Sequence, residues 1–201
     1  MARAKRRDRR SVQPQGSHPS AAGNGQIQRA YRHWPAWAIL LSALALGLAG
    51  DLLTKHYAFA ALLDRPGHAV ELIPGVLNFR LSTNPGVVFG IRMPPVAILL
   101  ATVGALIAAG ALFAGSDRRS WGLHLALGMV LAGALGNAYD RLFCRVVFPT
   151  IGERVREVRD FIDLHAGRFH WPTFNVADVL LVFGVAVIML HALRGKGPGK
   201  A

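Results

Sequence analysis

The chain has 201 residues, 52% of them hydrophobic and 17% charged, with a formal net charge of +12. The charges crowd into the first 33 positions, two loops and the tail, and leave long stretches almost bare. That distribution excludes an ordinary soluble domain and fits a multi-pass membrane protein. The single cysteine, Cys144, excludes an intrachain disulfide.

In chain order, residues 1–33 form a basic segment. Arg3, Lys5, Arg6, Arg7, Arg9, Arg10, Arg29 and Arg32 oppose only Asp8, among Ser, Pro and Gly. Its composition predicts a disordered cytoplasmic tail that can attract anionic lipid, so no nucleic-acid partner is expected. Residues 34–53 make a first span with one charge, Asp51, near its end. A cleaved leader is disfavoured because Asp51 and Lys55 follow the apolar run directly and fit a functional cluster. A loop with strand-like residues 76–81 and Asn84 leads to a second, uncharged span, 96–115. A short turn with Asp117, Arg118 and Arg119 precedes a third span, 121–138, in which His124 is the only titratable group. A longer loop, 142–171, holds the mixed-charge stretch 153–163. The fourth span, 172–193, contains Asp178 and is followed by Arg194, Lys196 and Lys200. Each span has about the length that roughly 30 Å of hydrocarbon requires.

The expected fold is therefore an all-α membrane protein of four transmembrane helices with a small β-rich extracytoplasmic loop element. Residues 34–194 form that domain, and 195–201 a short cytoplasmic tail. The positive-inside rule puts both termini in the cytoplasm. The unusual polar residues then share the outer level: Asp51 and Lys55, Asn84, Asn137, Asp140 and Arg141, Asp160, and Asn175 and Asp178. Asp51 and Lys55 are four apart, as are Asn137 and Arg141; Asn137 and Asp140, and Asn175 and Asp178, are three apart. Each set shares a helix face. A carboxylate near hydrocarbon costs on the order of 3 kcal/mol, which marks Asp178 as functional. If Asp160 points to the same spot, the two form the acid pair of an aspartic hydrolase.

These residues sit in ordered segments: DLLTK from Asp51 to Lys55, NPG from Asn84 to Gly86 continuing to Phe89 and Gly90, GNAYDR from Gly136 to Arg141, VRDF from Val158 to Phe161, and FNVAD from Phe174 to Asp178. Together they resemble the lipoprotein signal peptidase (signal peptidase II) family over roughly residues 34–193. The resemblance implies an intramembrane aspartic endopeptidase of the bacterial inner membrane. Such an enzyme cleaves prolipoprotein signal peptides before a diacylglyceryl-modified cysteine, with its site at the outer face. It implies Asp160 and Asp178 as the catalytic dyad, with Asp140 the rival for the first place. A loop carboxylate can close over substrate, whereas Asp140 has Arg141 beside it, which suits a structural ion pair. Asn84, Gly86, Asn137, Arg141 and Asn175 match positions that hold substrate backbone and shape the site. Asp51 and Lys55 match a supporting position. Three departures stand out: Val87 and Val88 replace small residues, Arg159 replaces an apolar one, and residues 143–157 look like an insertion.

The chemistry agrees with that reading. Two adjacent carboxylates in a low-dielectric setting share one proton, so one can activate water while the other polarises the scissile carbonyl. Asn84 and Asn175 are candidates for bonding substrate main chain, since an amide both donates and accepts. No H-E-x-x-H, Cys/His cluster or Gly-x-Ser-x-Gly occurs, so no metal, other cofactor or serine nucleophile is expected. One chain supplies every residue, so a monomer suffices, with prolipoprotein and membrane lipid as its partners. The rival classes are a small proton- or ion-coupled carrier, whose intramembrane acids would look similar, and a scaffold whose charges only pair.

Overall fold

The computed structural model describes residues 28–88, 91–92, 94–147 and 154–194. Most of the basic tail, the final residues 195–201, Phe89 and Gly90, and the centre of the 143–157 segment lie outside the described residues.

Four helices dominate: α1 (Trp34–Leu62), α2 (Pro95–Gly115), α3 (Trp121–Phe143) and α4 (Val176–Arg194). All four are long and apolar enough to cross a membrane. Helix α1 continues nine residues past the span expected from hydropathy, because nothing in Thr54 to Leu62 breaks a helix and Pro66 comes only later. At 29 residues it is about 43 Å long, so its last turns project beyond the hydrocarbon. Helix α3 likewise runs five residues past the expected end, carrying Asp140 and Arg141 inside its last turn. Helix α4 begins at Val176, four residues later than the apolar run, because Pro172 to Asn175 are drawn into the sheet and the helix cap.

Helix α3 is the central element. Half of its apolar window is buried, against 11% for α2 and α4 and 17% for α1. It packs on both α1 and α4 through small residues. At Gly133 a Cβ would collide with the backbone oxygen of Ala177, so the α3–α4 approach is set by backbone contact.

Among the described residues, eight strands follow the same chain order: β1 (Ala69–Ile73), β2 (Leu77–Asn84), β3 (Val87–Val88), β4 (Ile91–Arg92), β5 (Val146–Val147), β6 (Arg154–Val155), β7 (Val158–Ala166) and β8 (Phe169–His170). The main antiparallel sheet has the order β1-β2-β7-β8. It joins the α1–α2 connection to the α3–α4 connection at one end of the bundle. The expected strand at 76–81 is the first part of β2. The segment 143–157, expected to be an insertion, contributes β5 and β6, which pair with each other rather than with the main sheet.

At the opposite end, residues 28–32 lie against the α2–α3 turn. Ala30 N–H donates to Ser116 O at 3.0 Å, Arg118 N–H to Gln28 O at 2.7 Å, and Arg29 Nη1 to Gly115 O at 2.6 Å. Ala30 is fully buried there. Residues 28–32, part of the segment expected to be a disordered tail, are therefore docked on the bundle.

Candidate active site

The site is built where the first turn of α4 meets α1, α3 and β7. Asn175 is the residue before α4, and Asp178 is the third residue of the helix. Asn175 Oδ1 accepts from the Asp178 N–H at 3.1 Å, and Asp178 Oδ2 accepts from the Asn175 N–H at 3.1 Å. This reciprocal pair is a capping box, which satisfies two of the free amides at the helix start. The three-residue spacing read in the sequence as a shared face is thus a cap. A further free amide, that of Ala177, donates to Asp51 Oδ1 at 2.8 Å. Asp51 is fully buried, and its carboxylate lies so close to Gly136 that a Cβ there would strike Oδ2. Glycine at 136 is what lets α3 pass over a capped helix end.

Asp160 comes from β7. Its cross-strand partner is Ser82, and the β2–β7 register slips between Phe79 and Ser82. Asp160 and Phe161 are buried in succession, although neighbouring strand residues normally alternate. Asp160 is 1% exposed and accepts from Asn175 Nδ2 at 2.6 Å. Burial above all, then repulsion from Asp178, pushes the Asp160 carboxyl up to about 7, against the hydrogen bonds of Asn175 and Asn84. One asparagine therefore touches both acids.

Asn137 stands on the other side of the pair. Its Nδ2 donates to Asp178 Oδ1 at 2.9 Å, while its Oδ1 accepts from Asn175 Nδ2 at 3.1 Å and from Lys55 Nζ at 2.9 Å. Lys55 is fully buried, which a lysine tolerates only when paired. It bonds Asp51 Oδ2 at 2.8 Å and lies 3.3 Å from Asp140 Oδ2.

Asp140 departs from the sequence expectation. Its ion-pair partners are Lys55 and Arg159, not the adjacent Arg141. Arg159 Nη2 donates to Asp140 Oδ1 at 2.7 Å, its Nε at 3.1 Å, and its backbone N–H to Oδ2 at 3.0 Å. Successive helical residues diverge by about 100°. Arg141 therefore points elsewhere, donating to Asn137 O at 3.3 Å. It lines a cavity of about 60 Å³ with Ile98, Leu99 and Thr102 of α2, and it lies within the field of Asp160 and Asp178. Asn84 and Gly86 adjoin through a turn: the Gly86 N–H donates to Asn84 Oδ1 at 2.8 Å, and Gly86 has φ of +87°, where glycine is favoured.

Every sequence-derived site residue thus falls in or beside one cluster. Arg159, singled out only as a departure, is the residue whose role was missed. The signal was available: a cation directly before the candidate Asp160. Asp163 was missed too. It is 3% exposed and faces Arg80 at 3.6 Å. Cys144 lies beside Asp140, and burial pushes its thiol pKa up, which makes it a poor nucleophile.

Comparison with known proteins gives the same answer. Residues 43–194 match the family model for signal peptidase (SPase) II. The lipoprotein signal peptidase of Rhodococcus jostii is 35% identical over 193 residues, covering 95% of this chain and 86% of that one. The lipoprotein signal peptidase of Aquifex aeolicus is 36% identical over 165 residues, covering 77% and 85%. A bacterial membrane enzyme solved by the in meso method at 2.3 Å resolution superposes with a TM-score of 0.63 at 26% identity, covering 87% of this chain and 99% of its own. The carrier reading finds no support among these relatives. On the family match and these identities, the chain belongs to the signal peptidase II family.

Proposed function

We propose that this chain removes prolipoprotein signal peptides by an aspartic mechanism in which Asp178 is the base and Asp160 the acid. Peptidase activity on prolipoproteins follows from family membership. The aspartic assignment rests on one observation: Asp160 and Asp178 are the two carboxylates held by one residue, Asn175, whose Nδ2 donates to Asp160 Oδ1 and whose backbone N–H donates to Asp178 Oδ2.

Charge balance supports one shared proton. Three cations, Lys55, Arg141 and Arg159, neighbour four carboxylates, Asp51, Asp140, Asp160 and Asp178. A buried cluster favours neutrality, so one carboxylate carries a proton. Asp160 is the acid pushed up to about 7, while both Asp178 oxygens accept hydrogen bonds. Asp140 is the weaker candidate, because two cations already hold it.

In the reaction, ionised Asp178 takes a proton from water, and the oxygen bonds to the scissile carbonyl carbon. Asp160 passes its proton to the carbonyl oxygen, giving a neutral tetrahedral diol. Asp178 then gives its proton to the amide nitrogen as the C–N bond breaks. Asp160 recovers a proton from the diol as the new carboxyl group forms, and the resting state returns. Asn84 and Asn175 spend their side chains within the protein, so they serve first to orient these acids rather than to bond substrate main chain. Arg141, at the α2–α3 cavity, is the donor better placed to meet a substrate carbonyl.

On this reading the sheet and the dyad face the outer side of the membrane, with both termini in the cytoplasm, and a monomer suffices. The test is cleavage of a diacylglyceryl-modified prolipoprotein peptide by purified protein, alongside Asp160→Asn, Asp178→Asn and Asp140→Asn. Cleavage lost in the first two, with folding intact, supports the assignment. Cleavage kept in Asp160→Asn but lost in a folded Asp140→Asn moves the dyad.

A further inference from the structure

The far end of the sheet carries an apolar surface that the catalytic cluster does not use. Two hairpin tips meet there: the β1–β2 tip, with Leu72, Ile73 and Val76, and the β7–β8 tip, with Leu164, Phe169 and Trp171. The tips are bonded to each other, His165 N–H donating to Val76 O at 2.9 Å. The second tip closes on itself, Trp171 N–H donating to Leu164 O at 2.8 Å. All six apolar side chains are exposed, Phe169 at 61% and Trp171 at 55%. Between the tips runs a cleft of about 270 Å³ lined by Val76, Leu164, His165, Ala166, Phe169 and Trp171. Contiguous exposed apolar surface of this kind marks a contact with something else.

We infer that this cap is seated in the lipid of the bilayer face that holds the dyad, and fixes the height of the sheet over the membrane. Position argues for lipid. Trp171 lies five residues before Val176, the first residue of α4, so it is within about 18 Å of a membrane-spanning helix even at full extension. The cap is thus tethered close to the membrane end of α4, whose own apolar side chains Val182, Phe183 and Val185 are exposed. Composition argues the same way: tryptophan and phenylalanine favour the headgroup level. The charges at the tips do not oppose immersion. Glu71 Oε1 is turned back to accept from the Gly75 N–H at 2.8 Å, and Arg168 stands exposed at the turn, where its long stem can snorkel.

The consequence runs along β7. Leu164 in the cap is four residues from Asp160, about 13 Å along the strand. A cap held at one depth holds Asp160 at one depth, beside the scissile bond of a lipid-anchored substrate. This last step rests on the proposed peptidase mechanism; the lipid contact itself does not.

The experiment uses full-length protein in which Trp34, Trp37 and Trp121 are changed to Phe, so that Trp171 is the only emitter. It is reconstituted in vesicles whose acyl chains carry bromine either just below the glycerol or near the chain end. The expected result is at least about twofold quenching by the shallow bromines, less by the deep ones, and little by aqueous iodide. Quenching by iodide with none by either lipid overturns the inference, whatever the enzyme's activity. A second measurement uses Phe169→Ser in the wild-type background. In vesicles KM for the lipidated peptide rises on the order of fivefold with kcat retained, and in detergent micelles the difference shrinks. Equal kinetics in vesicles for Phe169→Ser and wild type also overturns the depth-setting role.

Discussion

Around Lys55 and Asp140, charge meets charge. Asp51 and Asp140 share the lysine, and Asp140 also holds the Arg159 guanidinium. Across Asn137, the other two acids are held by neutral amides: Asp178 by Asn137 Nδ2 and the Asn175 N–H, Asp160 by Asn175 Nδ2. Asp160 is as deeply buried as Asp51 and Asp140, and Asp178 is half-buried, so burial alone does not separate the two groups. What separates them is the partner. A carboxylate bonded to a cation stays ionised and serves as structure. A carboxylate bonded only to amides can keep or lose a proton at little cost, which acid–base chemistry requires. Asn137 forms the border, accepting from the lysine on one side and donating to Asp178 on the other.

The sharpest way to break this contrast is to remove one acid from each group. Asp178→Asn and Asp160→Asn are expected to lower kcat at least about a thousandfold while leaving the fold intact, since an amide replaces a carboxyl of nearly equal shape. Asp140→Asn is expected to lower the yield of folded protein instead. Single-turnover cleavage together with thermal unfolding in detergent separates the two outcomes. Equal thermal loss in all three variants would erase the distinction.

Next in size is Lys55→Met. It leaves the buried Asp51 with no cation and Asp140 with Arg159 alone, which costs on the order of 3–5 kcal/mol. Adding Asp51→Asn to it should recover part of that loss, because the uncompensated charge goes with the cation. Unfolding of the single and double variants measures the recovery. A double variant no more stable than the single one would show that the lysine acts by packing rather than by charge.

Smaller still is Asn137→Ala, which leaves Lys55 and Asp178 each short of one charged hydrogen bond. A loss of roughly ten- to a hundredfold in kcat/KM is expected, with a smaller loss of stability than Lys55→Met. Steady-state kinetics on the lipidated peptide reads it.

Much of this arrangement was legible in the sequence, for physical reasons that can be named. Hydropathy locates spans because the bilayer fixes their length, and Asp51, Lys55 and Asp178 stood out because charge beside hydrocarbon is costly. Helical spacing put Asn137 with Asp140 on a shared face, and it brought Asn175 and Asp178 together, though as a helix cap rather than a face. The partner of each acid was less legible. Asp140 was expected to pair with its neighbour Arg141, but the helix turns that side chain away and a strand brings in Arg159. No local pattern foretells a contact between residues nineteen apart in a strand and a helix. The burial of Asp160 depends on how β7 pairs with β2 and meets the helices, which hydropathy does not encode. Helix ends were misjudged for the same kind of reason: α1 runs to Leu62 because helix propensity outlasts the membrane.

The finest distinction between the two groups is read with pH. Asp160 is pushed up to about 7 in the folded protein, chiefly by burial, from an ordinary value near 3.8. Between those values the folded chain holds a proton that the unfolded chain has released. Stability linked to Asp160 is therefore fully present below the unfolded value and is lost as pH rises through about 7. Asp160→Asn holds no such proton, so its thermal midpoint should fall less than that of wild type on going from about pH 5 to about pH 8. The same proton controls the chemistry, because an ionised Asp160 cannot donate to the carbonyl oxygen. In wild type, kcat/KM should fall about tenfold per unit above the Asp160 pKa. The two readouts must move together. A thermal slope unchanged by Asp160→Asn, with the kinetic limb still near neutrality, would mean that another group in the cluster holds the proton.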